Sequence, residues 1–199
     1  EKGYSIVEAR VNGDPLGAFA ITDPIREDTV EGIAALKAFG LKIVLATGDH
    51  EEAAKRVCAE TGIRDYRSQM KPSEKLTLIH ESRHGKEKVL MVGDGLNDGP
   101  ALKAADIGIA MGSGTDLAID SADIVIVRGG IPQVVESIRI SRMTFRIIKQ
   151  NLLWAFLYNV IAIPAAMLGV LHPAIGEIAM AFSSITVILN SLRLKYHRD

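Results

Sequence analysis

The chain has 199 residues, 48% of them hydrophobic and 24% charged, with a formal net charge of −1. That balance leaves no basic excess to neutralise a phosphate backbone, which excludes a nucleic-acid binder held by bulk electrostatics. A single cysteine, Cys58, excludes an internal disulfide framework and a cysteine-built zinc site within these residues, and its helical setting E-E-A-A-K-R-V-C-A-E marks it as a buried structural thiol.

The opening E-K-G-Y-S-I-V-E-A-R reads as a strand already under way, so the expectation is a fragment that starts inside a domain. Tyr4 to Ile21 predicts two short strands joined at the turn signal N-G-D-P-L-G. A helix is predicted from T-D-P-I-R-E-D to about Phe39, with Gly40 at its end, and L-K-I-V-L-A-T-G-D follows as a buried strand ending in a Gly-Asp turn. Glu51 to Glu60 is helical until Gly62 stops it, and Ser73 to Ser82 is another helix. K-V-L-M-V-G-D-G is a strand with a polar loop at its C-terminal end, Gly99 to Ala105 a short helix, and D-I-G-I-A-M-G and A-D-I-V-I-V two more apolar strands. Alternating helices and strands apolar on both faces predict an α/β, Rossmann-like domain with a parallel sheet covered on both sides. Ligands in such sheets bind beyond the carboxyl ends of the strands, where T-G-D at 47–49 and G-D-G-L-N-D at 93–98 both fall.

Those loops suit a phosphoryl group with Mg²⁺. Magnesium takes oxygen ligands, usually one or two carboxylates completed by water and phosphate. Asp94 at a strand end is placed to face the ion, and Asp98, one helical turn on, to ligate it or to hold a coordinated water. Phosphoryl transfer also needs fixed positive charge and donors for the equatorial oxygens, for which Lys75 and Thr47 with the amide of Gly48 are the candidates.

The order T-G-D, P-x-x-K, G-D-G-x-N-D-x-P-A-L, M-G-S-G-T-D resembles the phosphorylation domain of P-type ATPases, within the haloacid dehalogenase superfamily. The resemblance implies that Thr47, Gly48 and Asp49 form the T-G-D loop and that Lys75 contacts phosphate. It implies that Asp94, Asn97 and Asp98 belong to the catalytic motif, with the two aspartates holding Mg²⁺, and that Asp23 with Arg26 forms the hinge into the domain. Gly99 departs from the family's more usual alanine, and a slightly looser helix start is expected there. The family's phosphorylated aspartate belongs to a D-K-T-G-T motif that does not occur in this sequence, so these 199 residues are not expected to turn over ATP by themselves.

From Gln150 to Leu192 the only formal charge is Glu177. Residues 151–171 and 174–192 are each long enough to cross a hydrocarbon core of about 30 Å. Arg139, Arg142, Arg146 and Lys149 precede the pair and Arg193, Lys195 and Arg198 follow it, which predicts a transmembrane hairpin with both ends cytoplasmic. Polar groups inside the spans are costly in lipid and point toward a path or a partner helix: Tyr158 and Asn159 before Pro164, then Met180, Ser183, Ser184 and Asn190. Met180 and Ser183, three apart, are expected on one face, and a thioether favours Cu⁺ among biological metals.

Y-N-x-x-x-x-P followed by M-x-x-S-S-x-x-x-x-x-N resembles the last two membrane helices of copper-exporting heavy-metal P-type ATPases. The resemblance implies Tyr158, Asn159, Met180 and Ser183 as ligands of a transported Cu⁺ or Ag⁺, together with cysteines outside this sequence. It implies ATP and Mg²⁺ as cofactors, the lipid bilayer, the rest of the pump and a copper chaperone as partners, and a multi-pass protein of a bacterial or archaeal inner or plasma membrane. Zinc and cadmium pumps of the same family typically carry an acidic residue in the last helix. Glu177 is acidic but near the outer end, and reads either as a release-side group or as an interfacial residue. The expected layout is the end of a nucleotide-binding domain at 1–20, a phosphorylation domain at 21–138 and a membrane pair at 139–199. The rival readings are a zinc/cadmium pump, a haloacid dehalogenase-like phosphatase, which would need its own nucleophile near the start, and a non-catalytic membrane-anchored module.

Overall fold

The computed structural model describes residues 5–21, 24–83, 87–94, 97–112, 120–169 and 171–196. Asp23, Gly95 and the S-G-T-D stretch at 113–116 lie outside these residues. The chain divides into two units, Glu1–Val135 and Glu136–Asp199.

In the first unit, Asn12 (φ 53°) and Gly13 (φ 95°) are both left-handed, the conformation a two-residue hairpin turn requires and Asn-Gly adopts most easily. They join β1 (Ser5–Val11) to β2 (Asp14–Ile21) in antiparallel register, Val7 opposite Phe19, with an irregularity at Ala9/Arg10. Helix α1 (Glu27–Ala38) starts with Glu27 and Asp28 in its first turn, where acidic side chains complement the helix dipole. Its Gly32 lies against Ile131; a Cβ there would stand 2.8 Å from Ile131 Cγ2, so this approach needs glycine.

The parallel strands form two ladders among the described residues. β3 (Val44–Ala46) pairs with β4 (Asp65–Arg67), and β5 (Leu90–Gly93), β6 (Ile107–Met111) and β7 (Ile124–Ile126) form a sheet in that order. β4 is absent from the sequence-based reading because D-Y-R offers neither an apolar run nor alternation. Between the strands lie α2 (Glu51–Thr61), closed by left-handed Gly62, α3 (Pro72–Ser82) and the short α4 (Gly99–Ala104). The core centres on Leu102, Ile109 and Ala110, with Met91, Ala122 and Val125 packed against Leu102 and Ala110. Cys58 is buried, which pushes its thiol pKa up and leaves it an inert packing group.

Helix α5 (Ile131–Met167) is continuous over 37 residues, and α6 runs from Pro173 to Tyr196. The sequence places the first span at 151–171, whereas the helix begins at Ile131 and gives way to a turn after Met167. Its first half carries Arg139, Arg142, Arg146 and Lys149 and so has no apolar-span signal, although it continues the same helix. At the other end the helix stops at Gly169 (φ 70°), whose N–H is held by the Ala166 carbonyl at 3.0 Å. Pro164 sits inside α5 without ending it. Both helices are long and apolar enough to cross a membrane. Their apolar side chains are exposed, Ile161 at 63% and Phe182 at 67%, where a soluble core helix would bury them.

Candidate functional site

The chain leaves β3 through Thr47, whose N–H still donates to the Arg67 carbonyl at 2.9 Å and whose carbonyl accepts the Met70 N–H at 3.0 Å. That second bond draws the segment after β4 to the end of β3. Thr47 Oγ1 accepts the Asp49 N–H at 3.1 Å and donates to Asp49 Oδ2 at 2.9 Å, closing a tight turn around Gly48. The Asp49 carbonyl accepts the N–H of Gln69, which is left-handed at φ 55°. Arg67, Gln69 and Met70 therefore shape the T-G-D loop. The sequence reading missed them because S-Q-M-K shows only an ordinary polar loop, and a left-handed glutamine has no compositional signal.

From Met70 the chain enters α3 with Pro72 at the first helical position, and Glu74 Oε2 accepts the Lys71 N–H at 2.7 Å. This start fixes Lys75, whose Nζ donates to Asp98 Oδ1 at 2.8 Å with the two side chains only 15% and 11% exposed. A pair this shielded is screened far less by salt than a surface ion pair. Asp98 caps α4, its carbonyl accepting the Leu102 N–H at 2.8 Å. Its carboxylate folds back over the end of β5, where a Cβ on Gly93 would stand 2.7 Å from Asp98 Oδ2. Glycine at 93 is thus a steric condition for the placement of Asp98. In the same loop Asp94 is exposed and its Oδ1 accepts the Asn97 N–H at 3.3 Å.

The C-terminal ends of β3 and β5 are linked through one route, Thr47 to Met70, Met70 into α3, Lys75 to Asp98. The seven residues expected in the phosphoryl-transfer set occupy that route or the two loops it joins. Arg26 pairs with Asp28 at 3.0 Å and reaches the Gly129 carbonyl at 3.4 Å. Beside the T-G-D loop, a hydrogen bond and the charge of Lys55 hold the Glu51 carboxyl below its ordinary pKa. Among the described residues no group of three or more His, Cys, Asp or Glu comes together, so the cation-binding potential here is that of the carboxylate pair.

In the second unit Tyr158 and Ser183 line one hollow of about 230 Å³ with Trp154, Leu157, Ile161 and Phe182. Tyr158 Oη donates to the Gly176 carbonyl at 2.8 Å. Asn159 and Met180 are not in that lining: Asn159 Nδ2 donates to the Ala155 carbonyl of its own helix at 2.9 Å, and Met180 is 61% exposed. The expectation that Met180 and Ser183 share a face holds only loosely, because three residues leave two side chains about 60° apart around the axis. That angle is enough to put Ser183 in the hollow and Met180 outside it.

Residues 2–106 match the family of haloacid dehalogenase-like hydrolases. The copper-exporting P-type ATPase of Bacillus subtilis (strain 168) is 41% identical over 194 residues, covering 98% of this chain and 24% of that protein. Cation-transporting P-type ATPase B of Mycobacterium leprae (strain TN) is 46% identical, covering 97% of this chain and 26% of that protein. The chain belongs to the heavy-metal P-type ATPase family. A crystal structure of a zinc-transporting PIB-type ATPase of the same family, in an E2.Pi state, matches with a TM-score of 0.85 at 35% identity over 97% of this chain and 32% of that one. The chain therefore spans about a quarter of the length of the curated P-type ATPases it matches. With 98% of the chain shared with the B. subtilis ATPase, the likeness runs through the two apolar helices as well as the hydrolase unit.

Proposed function

We propose that these residues form the phosphorylation domain and a membrane helix pair of an ATP-driven metal-export pump that works through an aspartyl-phosphate. The observation that carries this reading is the shielded Lys75–Asp98 pair at 2.8 Å, which ties α3 to the mouth of β5 in a chain that also carries two apolar helices. Residues 1–20 then belong to the end of a nucleotide-binding domain, 21–138 to the phosphorylation domain and 139–199 to the membrane pair.

The donor set fits magnesium: two carboxylates at one strand end, with glycine giving Asp98 its room. Asp94 would hold the ion directly, while Asp98, shared with Lys75, would hold it or one of its waters. When bound, the ion offsets charge on the phosphoryl oxygens. The protein's own groups do the rest. Lys75 sets a fixed positive charge beside the same oxygens, and the Thr47 hydroxyl and Gly48 amide, held by the Asp49 turn, donate to them. The acceptor aspartate is contributed by D-K-T-G-T elsewhere in the complete pump.

For the cargo we favour Cu⁺, with Ag⁺ as its analogue, carried by Tyr158, Asn159, Met180 and Ser183 together with cysteines of the complete pump, fed by a copper chaperone at a bacterial or archaeal inner or plasma membrane. Support comes from the soft thioether of Met180 and from the copper-exporting relative at 41% identity. Zinc is the second reading, favoured by the zinc-transporting structure at TM-score 0.85. The test is ATP hydrolysis by the complete pump in lipid with Cu⁺, Ag⁺, Zn²⁺ or Cd²⁺. Stimulation by Cu⁺ and Ag⁺ that is lost in Met180→Ala supports the soft-metal cargo, and stimulation by Zn²⁺ alone overturns it. An Asp94→Asn pump with full metal-stimulated turnover would overturn the phosphoryl-transfer assignment.

A further inference from the structure

Asn190 Nδ2 donates to Asn151 Oδ1 at 2.9 Å and to Gln150 Oε1 at 3.2 Å. Asn151 Nδ2 donates in turn to Ser191 Oγ at 2.9 Å, and the Ser191 hydroxyl donates a hydrogen bond to the Val187 carbonyl at 2.8 Å. The Arg193 guanidinium donates to Asn190 Oδ1 at 3.2 Å. Both amide donors of Asn190 and its carbonyl oxygen are thus engaged, and three of these bonds cross from α5 to α6. The cluster lies at the end of the hairpin that carries Arg146, Lys149, Arg193 and Lys195.

We propose that this amide cluster is a register lock, and that Asn151 and Asn190 are positioning residues for the transported ion. They hold α5 and α6 at one stagger so that Tyr158 and Ser183 face the same hollow. The inference rests on the pump reading above.

Lipid tails are as apolar as leucine, so exposed Leu, Ile and Phe surfaces give two membrane helices little reason to prefer one stagger over another. Even at the edge of the span an amide is better paired than not, and its bonds, unlike apolar contacts, are directional, so the choice falls to the amides. Asn151 and Tyr158 are seven residues apart on α5, and Ser183 and Asn190 seven apart on α6, two turns in each case and therefore nearly one face. Sliding either helix by one residue turns its amide by about 100° and breaks the crossing bonds. The same slide swings Tyr158 or Ser183 out of the hollow. A second tie, Tyr158 Oη to the Gly176 carbonyl, lies further toward the turn between the helices. One tie alone would leave the helices free to pivot, whereas two separated ties fix the stagger.

The experiment uses the complete pump in lipid vesicles, with Asn151→Ala, Asn190→Ala, the double variant and Ser191→Ala. Two quantities are read: the metal concentration giving half-maximal ATP hydrolysis, and the phosphoenzyme formed from inorganic phosphate without metal. Each asparagine variant is expected to raise the half-maximal metal concentration about tenfold with the phosphoenzyme level unchanged. The double variant should be no worse than either single, because the lock is already open. Ser191→Ala, which removes one crossing bond, should show a smaller rise. Half-maximal concentrations within twofold of the parent, or effects that multiply in the double variant, would overturn the lock.

Spin labels on unnatural side chains at Leu153 and Ile188 read the stagger without reference to metal. One narrow distance distribution that broadens in Asn190→Ala supports the lock, and a distribution unchanged by the substitution overturns it. A parent pump that no metal stimulates would instead defeat the pump reading, and the label distances would still decide the lock.

Discussion

In the first unit Leu102 and Ile109 are 1% and 0% exposed, and the polar groups that matter are gathered where the strands end, Lys75 against Asp98 and Thr47 around Asp49. In the hairpin the apolar side chains face outward, and the polar contacts that join the helices are Asn151 to Asn190 and Tyr158 to Gly176, while Asn159 and Ser184 bond back to their own helices. Water is the reference in one case and hydrocarbon in the other. A water-facing unit gains stability by burying apolar groups and leaves its charged groups at the rim, where a ligand can reach them. A lipid-facing pair gains little from apolar contact and is organised by the hydrogen bonds it keeps inside. The same amino-acid types therefore carry different weight on the two sides of residue 136.

The largest expected effect falls on the strand-end cluster. Asp98→Ala removes a carboxylate of the proposed ion site and leaves the Lys75 ammonium shielded without its partner. Turnover of the complete pump should fall by at least about 10³-fold. The first unit should also lose about 3 kcal/mol, the cost of breaking a buried pair from one side. Lys75→Met together with Asp98→Leu should recover most of that stability and none of the turnover, as measured by urea midpoints alongside ATP hydrolysis. Recovered turnover in the double variant would remove both residues from the chemistry.

Next in size is a direct contrast between the two cores. Ile109→Ala in β6 empties a fully buried position and should cost the first unit about 3 kcal/mol. Leu153→Ala on α5, at a position 64% exposed, should cost the hairpin less than about 0.5 kcal/mol in lipid. Trp154 is the one tryptophan of the sequence, so its fluorescence reports the hairpin while circular dichroism in urea follows the first unit. Equal losses for the two variants would break the contrast and would mean that Leu153 packs against protein in the complete pump.

How far the sequence is legible follows the same division. T-G-D and G-D-G-L-N-D stand out because they interrupt apolar runs at the points where parallel strands end, and the geometry joins them through Lys75 and Asp98. Asn-Gly at 12–13 and Gly62 announce a turn and a helix stop through the one conformation each must adopt. β4 is illegible because D-Y-R is a strand only by virtue of its ladder with β3, a tertiary cause with no local trace. The beginning of α5 is hidden because its first half follows the rules of water and its second half those of lipid within one helix. The amide cluster is only half legible: Asn190 stands out as a polar group in an apolar span, and it does meet the partner helix, but what it meets is hidden. The cluster's partners Asn151 and Ser191 lie 40 residues apart, and nothing in N-L-L-W or L-N-S-L says that the two will meet.

A smaller effect concerns acid stability in the first unit. Asp106 accepts the Val89 N–H at 3.0 Å and ion pairs with Lys88 at 2.9 Å and Arg83 at 3.2 Å, which hold its carboxyl below the usual range. Because the folded pKa is lowered, the stabilisation is complete above the unfolded value of about 3.9 and is lost as pH falls through the folded one. Wild type and Asp106→Asn should therefore differ in urea midpoint at pH 7 and converge as pH falls through the lowered pKa of Asp106. Glu51 sharpens the comparison, since its carboxyl is also lowered, first by a hydrogen bond from Lys55. Yet Glu51 and Lys55 are exposed side chains one helical turn apart, 54% and 59% accessible, with no backbone N–H in the arrangement. Solvent and salt screen such a pair, so Glu51→Gln should shift the urea midpoint by no more than the error of the measurement at physiological ionic strength. A shift as large as that of Asp106→Asn would mean that the T-G-D loop beside Glu51 depends on that charge. The loop's order would then rest on electrostatics as well as on the Thr47–Asp49 turn.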